Sequence, residues 1–297
     1  MAKLSASKVF DQPTFRHFLA VVAGLWLGLG ILLAIVSTSN GNASTATDPL
    51  VTPVFYLILF GGGSLWVRWQ YHRHHIELKT LVGRWPHRAD WPYLIGLWVL
   101  LFMFSLGAFQ VSFVLLSYVL PEFVTTTLNE SLFLGAGETT IPWLYNLLMV
   151  FLLVVAAPVL EEFLFRGFLQ HRWGTRWNPP VAILLSSILF GILHGNVIGL
   201  TMFGLVMALL YFRTSSLGVA IAVHALNNAI AVSLELITRL TGHSEPTSLA
   251  DFRSGVWFGA ILLAVSIPFL AKFIRRNWPN KKTPLPYWVN RNHALTR

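Results

Sequence analysis

The chain has 297 residues, 55% of them hydrophobic and only 11% charged, whereas soluble domains average about 25% charged residues. This composition predicts a polytopic membrane protein, and the absence of cysteine excludes disulfides, thiolate catalysis and cysteine-based zinc sites. The net charge of +9 could suggest a nucleic-acid partner, but basic residues in a membrane protein report orientation first, so we expect no nucleic acid among its partners.

Eight apolar segments follow one another along the chain and predict an all-α bundle of about eight transmembrane helices. They cover residues 15–36, 51–67, 91–119, 143–170, 180–194, 197–212, 216–240 and 254–274. The fifth and sixth have only about fifteen residues each, so their hairpin should end inside the bilayer or thin it. We expect three parts: an N-terminal region with three spans over 1–142, a core over 143–240, and a last span with a basic tail over 241–297.

The basic residues predict the orientation. If the N-terminus is cytoplasmic, nearly all of the 21 Lys and Arg residues fall in cytoplasmic segments. These are Lys3, Lys8, Arg16, Arg68, Arg73, Lys79, Arg84, Arg88, Arg172, Arg176, Arg213, Lys272, Arg275, Arg276, Lys281, Lys282, Arg291 and Arg297. The positive-inside rule then predicts a multi-pass protein of the cell membrane, plasma or inner, with both termini in the cytoplasm.

Two adjacent carboxylates, Glu161 and Glu162, lie late in the fourth apolar segment, where charge is costly. Successive helical residues point about 100° apart, so the two cannot share one partner. Arg166 lies four residues after Glu162 and can pair with it on one helix face. Glu161 is left without a partner on its own helix and is free to face a cavity. The alternative is a helix end whose acids lie among the lipid headgroups.

Further polar side chains occur in later segments: His194 lies at a turn, and His224 and Asn228 share one helix face. Counted at about 1.5 Å per residue from one side of the membrane, they fall in the same layer as the unpartnered carboxylate. Gly191 and Gly195 are expected to allow close backbone approach around the first histidine. Each polar residue alone is often a group that joins helices, but the set predicts a functional site.

The chemistry of this set favours hydrolysis. A carboxylate in a poorly solvated site is suited to take a proton from water near neutral pH, and one His can orient that water. The second His and the Asn amide can donate to the oxyanion of a tetrahedral intermediate. Alternatively, Glu161, His194 and His224 could bind zinc, since two His and one Glu with an open position form a known catalytic set. No His-Glu-x-x-His occurs on one helix, which argues against a simple zincin.

Three motifs, in order along the chain, resemble those of the CPBP intramembrane protease family, which includes the type II CAAX prenyl endopeptidases and the bacterial Abi proteins. They are Glu-Glu-x-x-x-Arg at Glu161, Glu162 and Arg166, Phe-x-x-x-His at Phe190 and His194, and His-x-x-x-Asn at His224 and Asn228. The resemblance implies an eight-span endopeptidase whose catalytic core is the 143–240 region. Its substrate would be a membrane-associated protein or peptide, reached from the cytoplasm or laterally from the lipid.

The same resemblance implies a role for each motif residue. Glu161 and His194 would activate water, and His224 and Asn228 would form the oxyanion hole. The supporting residues would be Glu162, Arg166 and Phe190. The family is described both as metal-dependent and as using a glutamate-activated water, so the sequence leaves zinc, the prenylation of the substrate and the oligomeric state open.

A second function class uses the same residues without catalysis. A membrane scaffold or chaperone could keep the polar cluster for helix packing or for binding a partner. An ion or proton carrier is a weaker alternative, because the chain lacks the inverted repeat and the paired broken helices of many transporters. Glu161→Gln separates the protease from the scaffold, since only the protease requires the carboxylate of Glu161 for turnover.

Overall fold

The structure is a computed structural model that describes residues 6–39, 48–133, 138–241 and 247–295. Within these ranges the chain forms helices and no strand, which confirms the predicted all-α polytopic bundle. The principal helices are α1 (Phe15–Ser39), α2 (Val51–Arg73), α3 (Trp91–Ser117), α4 (Pro142–Arg176), α5 (Pro179–Ile192), α6 (Val197–Thr214), α7 (Leu217–Leu240) and α8 (Val256–Asn277). Seven of them are long and apolar enough to cross a membrane, and α5 is a shorter apolar helix.

Shorter helices lie between the principal ones and after the last of them. Their bounds are Leu78–Val82, Pro121–Asn129, Leu249–Ser254 and Pro286–Leu295, with 3₁₀ turns at Ala6–Asp11 and Arg88–Asp90. Two of the basic residues used for the orientation, Lys3 and Arg297, lie outside the described residues. The division of the chain into three parts stays a prediction.

The hairpin of α5 and α6 differs in part from the expectation. Helix α5 has 14 residues, about 21 Å, which is shorter than a hydrocarbon core of about 30 Å. The predicted length of about fifteen residues is wrong for α6, which has 18 residues. Its last turn includes Arg213 and Thr214. Ser215 follows as the C-cap, with a left-handed backbone and φ of 50°. Composition alone had ended the segment where the apolar run stops.

Side-chain caps begin the helices that carry the polar site. Asn178 accepts a hydrogen bond from the backbone N–H of Val181 at 3.1 Å before α5, where two prolines follow in positions that need no donor. Asn196 caps α6 at Gly199, and Ser216 caps α7 at the third residue after it. These caps fix where each helix starts and hence the height of the side chains that follow.

Helix α4 lies among its neighbours, in contact with α2, α5 and α7, while α3 packs against α6 and α8. One buried hydrophobic cluster includes residues from all three predicted parts of the chain, such as Phe10, Leu101, Phe168 and Tyr287. Helix α1 contacts α2, and large apolar side chains of α1 such as Trp26 remain exposed. An apolar face of this kind fits a lipid environment.

Contacts between loops show which chain segments share an end of the bundle. At one end, Phe10 of the N-terminal segment lies against three rings from other parts of the chain. These are the rings of Tyr71 in α2, His171 in α4 and Tyr287 in the C-terminal helix. The basic tail therefore includes a docked helix. At the opposite end, Arg253 before α8 donates to Ser117 at the end of α3. The arrangement agrees with an alternating order of spans, and the orientation relative to the cytoplasm stays a prediction.

Candidate active site

Helix α4 carries the two adjacent glutamates on an α-helical segment, Ala157–Glu162, between two π-helical segments. The π segments are Leu152–Ala156 and Phe163–Leu169. Pro158 has no backbone N–H and cannot donate to the preceding turn, which disturbs the regular α-helical bonding before the glutamates. Such π turns occur often at functional sites, and here they bracket the glutamate pair.

Side chains of other helices bind backbone carbonyls of these π segments. The hydroxyl of Tyr71 in α2 donates to the carbonyl of Gly167 at 2.7 Å. The Nδ2 of Asn228 in α7 donates to the carbonyl of Leu153 at 2.8 Å. These hydrogen bonds fasten α2 and α7 to α4, one after the glutamate pair and one before it.

Glu161 is 5% exposed and lines a cavity of about 550 Å³. Its Oε1 accepts a hydrogen bond of 2.5 Å from the hydroxyl of Tyr56 in α2. Its Oε2 has no hydrogen-bond partner among the described residues and lies 3.9 Å from Nε2 of His194 and 3.9 Å from Nε2 of His224. The structure thus brings together the carboxylate and the two imidazoles that the sequence places in one layer.

Each histidine is oriented by a hydrogen bond at Nδ1. In His194 this atom lies 2.6 Å from the carbonyl oxygen of Phe190, and in His224 it lies 2.9 Å from Oε1 of Glu162. Both partners are acceptors, so each Nδ1 carries the hydrogen and each Nε2 faces the free oxygen of Glu161. A neutral ring therefore presents a lone pair to the site, whereas a protonated ring presents an N–H donor.

Glu162 is fully buried and belongs to a different set of contacts. Its Oε1 accepts from Nη1 of Arg166 at 2.9 Å and from His224, while Nη2 of Arg166 donates to the carbonyl of Gly204 in α6 at 2.9 Å. The predicted pair of Glu162 and Arg166 is therefore present. Its Oε2 also lacks a partner among the described residues, but Glu162 does not line the cavity.

Phe190 is completely buried between the polar groups. Its ring stacks on the ring of His194 with centroids 4.5 Å apart and meets the ring of His224 edge-on at 5.9 Å. The guanidinium carbon of Arg166 lies 4.9 Å from the same ring centroid. Phe190 thus separates the two imidazoles and fixes their planes, in addition to providing the carbonyl that orients His194.

Asn228 lines the same cavity one helical turn after His224. One Nδ2 hydrogen is used by the carbonyl of Leu153, and the amide group has a second hydrogen on the same nitrogen. The oxygen of Asn228 accepts from Nδ2 of Asn227 at 3.4 Å. All four predicted catalytic residues, Glu161, His194, His224 and Asn228, therefore border one cavity.

The cavity extends from the polar groups toward the end of the bundle where α2 and α4 begin. Its walls are largely apolar, with side chains such as Phe60, Met149 and Leu200, and it reaches Thr52 in the first turn of α2 and Leu132 before α4. This end is opposite to the one that holds the docked C-terminal helix. In the predicted orientation this is the end away from the cytoplasm, and access from the cytoplasm or laterally from the lipid stays a prediction.

A zinc site formed by Glu161, His194 and His224 would require shorter separations between their donor atoms than the structure has. Zinc with donors at about 2.0 Å in tetrahedral geometry holds them about 3.3 Å apart, and the separations from Oε2 of Glu161 to the two Nε2 atoms are each 3.9 Å. Within the described ranges, no group of three His, Cys, Asp or Glu side chains is arranged to hold a metal ion. The residues as placed do not fit zinc without a rearrangement.

Sequence reasoning missed Tyr56, the partner of the catalytic candidate Glu161. A single Tyr in an apolar span resembles an ordinary interfacial residue, and only a tertiary contact reveals its role. The expectation for the two glycines is half right. A Cβ on Gly191 would lie 2.0 Å from Oγ1 of Thr201 in α6, so close approach requires this glycine, whereas a Cβ on Gly195 would meet nothing within 4 Å.

Comparison with known proteins agrees with the resemblance that the three motifs carry. Residues 142–230 match the family model described as type II CAAX prenyl endopeptidase Rce1-like. A protein of Bacillus subtilis (strain 168), YdiL, named as a candidate membrane peptidase, is 33% identical over 92 residues, which are 30% of this chain and 38% of YdiL. Both matches support the resemblance to the CPBP family. The segment matched by the family model contains all seven motif residues but not Tyr56.

The match has a limited extent. The aligned segment spans less than two thirds of YdiL, and no solved structure matches the chain. Helices α1, α2, α3 and α8 lie outside the matched segment. They pack around the matched segment in this structure, since α2 supplies Tyr56 to the cavity and α3 packs against α6.

Proposed function

We propose that this protein is an intramembrane endopeptidase that hydrolyses a peptide bond of a membrane-associated protein or peptide with a glutamate-activated water. One observation carries the proposal: the free Oε2 of Glu161 lies 3.9 Å from Nε2 of both His194 and His224. This gap is too long for direct hydrogen bonds and fits one bridging water. A water about 2.8 Å from two such atoms would subtend an angle of about 90° between them.

In this proposal the water is oriented by two acceptors. It donates one hydrogen to Oε2 of Glu161 and the other to Nε2 of His194, whose Nδ1–H is held by the carbonyl of Phe190. Glu161 takes the proton as the water oxygen attacks the substrate carbonyl carbon. Tyr56 donates to the other oxygen of the carboxylate and so directs Oε2 toward the water. Tyr56 is a positioning residue.

The oxyanion then needs donors. Asn228 has a second Nδ2 hydrogen, and His224 supplies an Nε2–H when its ring is protonated, because its Nδ1–H donates to Glu162. The proton held by Glu161 passes to the leaving amine as the tetrahedral intermediate collapses, which returns the carboxylate to its starting state. No step in this sequence requires a group that the chain does not supply.

The cavity supports an apolar substrate segment beside the scissile bond, because its walls are apolar and it lies within the bundle. CAAX-type processing of a prenylated peptide is the specific form suggested by the family model that matches. A scaffold would use the polar cluster only for packing, whereas the free Oε2 of Glu161 faces a cavity and lies 3.9 Å from two imidazole nitrogens, which favours chemistry.

The test is cleavage by the purified protein. Two peptide pools are incubated with it, one with prenylated C-terminal cysteine and one with unmodified apolar segments, and products are read by mass spectrometry with and without a chelator. We expect products that are lost in His194→Ala, with His72→Ala, an exposed histidine in the last turn of α2, as the matched control. Equal cleavage by His194→Ala and wild type would contradict the proposal. Loss of cleavage on chelation, together with bound metal in the purified protein, would replace the metal-free mechanism.

A further inference from the structure

The base of α1 and the last turn of α4 enclose a second cavity, of about 600 Å³, that is distinct from the candidate active site. Its wall includes three arginines, Arg16, Arg172 and Arg176, and two tryptophans, Trp173 and Trp177. We call it the arginine pocket, and it shares no lining residue with the active-site cavity. We propose that the arginine pocket binds the phosphate of an anionic phospholipid. This inference does not depend on the proposed protease activity.

The charge of the pocket selects an anion. No carboxylate of the described residues lines it, and Arg172 forms an ion pair with Asp11 of the N-terminal segment. Arg16 and Arg176 are exposed and take part in no salt bridge among the described residues. Guanidinium groups bind phosphate oxygens in a forked geometry, so this pair is suited to a phosphodiester.

The position of the pocket favours a lipid over a soluble phosphate. Helix α1 begins at Phe15 and α4 ends at Arg176, so the pocket lies at the ends of two spanning helices, where headgroups lie. The indole of Trp177 is 54% exposed and lies 6.3 Å from that of Trp173, as expected of residues at the membrane interface.

An apolar surface continues from the pocket along α1. Its side chains include Leu19, Trp26 and Leu27, which are about half exposed within the structure. A lipid whose phosphate lies between the arginines could lay its acyl chains along this face. A free phosphate would gain nothing from it, and the basic groups between spanning helices match the usual recognition of anionic headgroups.

The experiment uses the full-length protein in neutral detergent with three separate probes: phosphatidylglycerol, phosphatidylcholine and glycerol phosphate. Native mass spectrometry measures retained lipid, and thermal denaturation measures stabilisation. The test variant is Arg16→Gln/Arg176→Gln. The control is Arg275→Gln/Arg276→Gln, which removes two exposed arginines at the end of α8 that line neither cavity. Because all four side chains are exposed, both variants should fold, and their melting temperatures without lipid verify this.

Wild type and control should retain phosphatidylglycerol in preference to phosphatidylcholine. The test variant should bind it about fivefold more weakly for each arginine removed. Equal loss in test and control variants would overturn the inference, because it would show only general attraction to the basic end of the protein. Equal retention of both lipids would overturn it as well. Stabilisation by glycerol phosphate as large as that by phosphatidylglycerol would overturn the assignment to a lipid.

Discussion

Helix α4 carries two adjacent glutamates, of which one faces the active-site cavity and the other faces the interior of the bundle. Glu161 and Glu162 are adjacent and both buried, at 5% and 0% exposure, so burial does not distinguish them. Their partners do. On the cavity side, Glu161 accepts from Tyr56 and leaves Oε2 facing two imidazole nitrogens. On the inner side, Glu162 accepts from Arg166 and His224.

One helix thus carries two carboxylates that differ in what their second oxygen faces. The inner carboxylate pairs with a buried guanidinium and orients His224 through Oε1, and it does not line the cavity. The cavity carboxylate has one oxygen held by Tyr56 and the other facing two imidazole nitrogens, which is the arrangement required of a positioned general base. Substitution on the inner side should therefore affect folding first, and substitution on the cavity side should affect turnover first.

The largest effect on stability is expected from Glu162→Gln. Removing its charge leaves Arg166 buried without a compensating anion, so the free energy of unfolding should fall by about 3–5 kcal/mol. Thermal denaturation of the purified variant in detergent measures this loss. The control is Thr52→Ser, a conservative change at an exposed residue in the wall of the cavity. Wild-type stability of Glu162→Gln would show that the inner carboxylate does not neutralise the arginine.

The next effect concerns the oxyanion. Asn228→Ala removes the proposed amide donor and should lower kcat by about 10²–10³-fold. Asn227→Ala serves as the matched control. It removes an amide from the adjacent position of the same helix, and Asn227 donates to Asn228 but does not line the cavity. A rate loss in Asn227→Ala equal to that in Asn228→Ala would assign both effects to the helix and not to a donor.

Gly191→Ala tests how the α5–α6 hairpin places His194. The new methyl would lie 2.0 Å from Oγ1 of Thr201 and 2.7 Å from the carbonyl of Val197, so the helices must separate. We expect a loss of about 1–3 kcal/mol in the free energy of unfolding, with lower cleavage. Gly195→Ala, which would meet nothing within 4 Å, should change stability by less than about 0.5 kcal/mol. Equal melting temperatures for the two variants would contradict this packing.

Tyr56→Phe should lower turnover less than Asn228→Ala does. It removes the hydrogen bond that holds Oε1 of Glu161 but leaves the ring, which stacks on Phe60 at 4.2 Å. A hydrogen bond to a charged group contributes about 1.5–3 kcal/mol, so we expect kcat to fall at least about tenfold with little change in KM. A change confined to KM would indicate that Tyr56 contacts substrate instead of positioning the carboxylate.

Sequence patterns predicted the helices well because each span is a long apolar run with polar ends. The bounds of α5 and α7 agree with the apolar segments to within two residues. The pairing of Glu162 with Arg166 was also predictable, since it depends only on helical spacing. These features are local, and local spacing determines them.

Other features depend on tertiary contacts that no local pattern contains. The π segments around the glutamates could not be predicted from the local sequence. Their carbonyls accept hydrogen bonds from Tyr71 and Asn228, which lie on other helices. The role of Tyr56 requires α2 to lie against α4, and the sequence gives no spacing for a contact between residues 105 positions apart. The bond from His224 to Glu162 likewise joins distant residues. It shows that His224 must be protonated in order to donate at Nε2.

In the proposed mechanism Glu161 is the general base, and Glu162 stabilises the fold. Cleavage rate and melting temperature measured together for Glu161→Gln, Glu162→Gln and wild type separate the two roles. We expect Glu161→Gln to lower the cleavage rate by about 10²–10⁴-fold and to keep the wild-type melting temperature, while Glu162→Gln lowers the melting temperature. Cleavage at the wild-type rate by folded Glu161→Gln would contradict the mechanism.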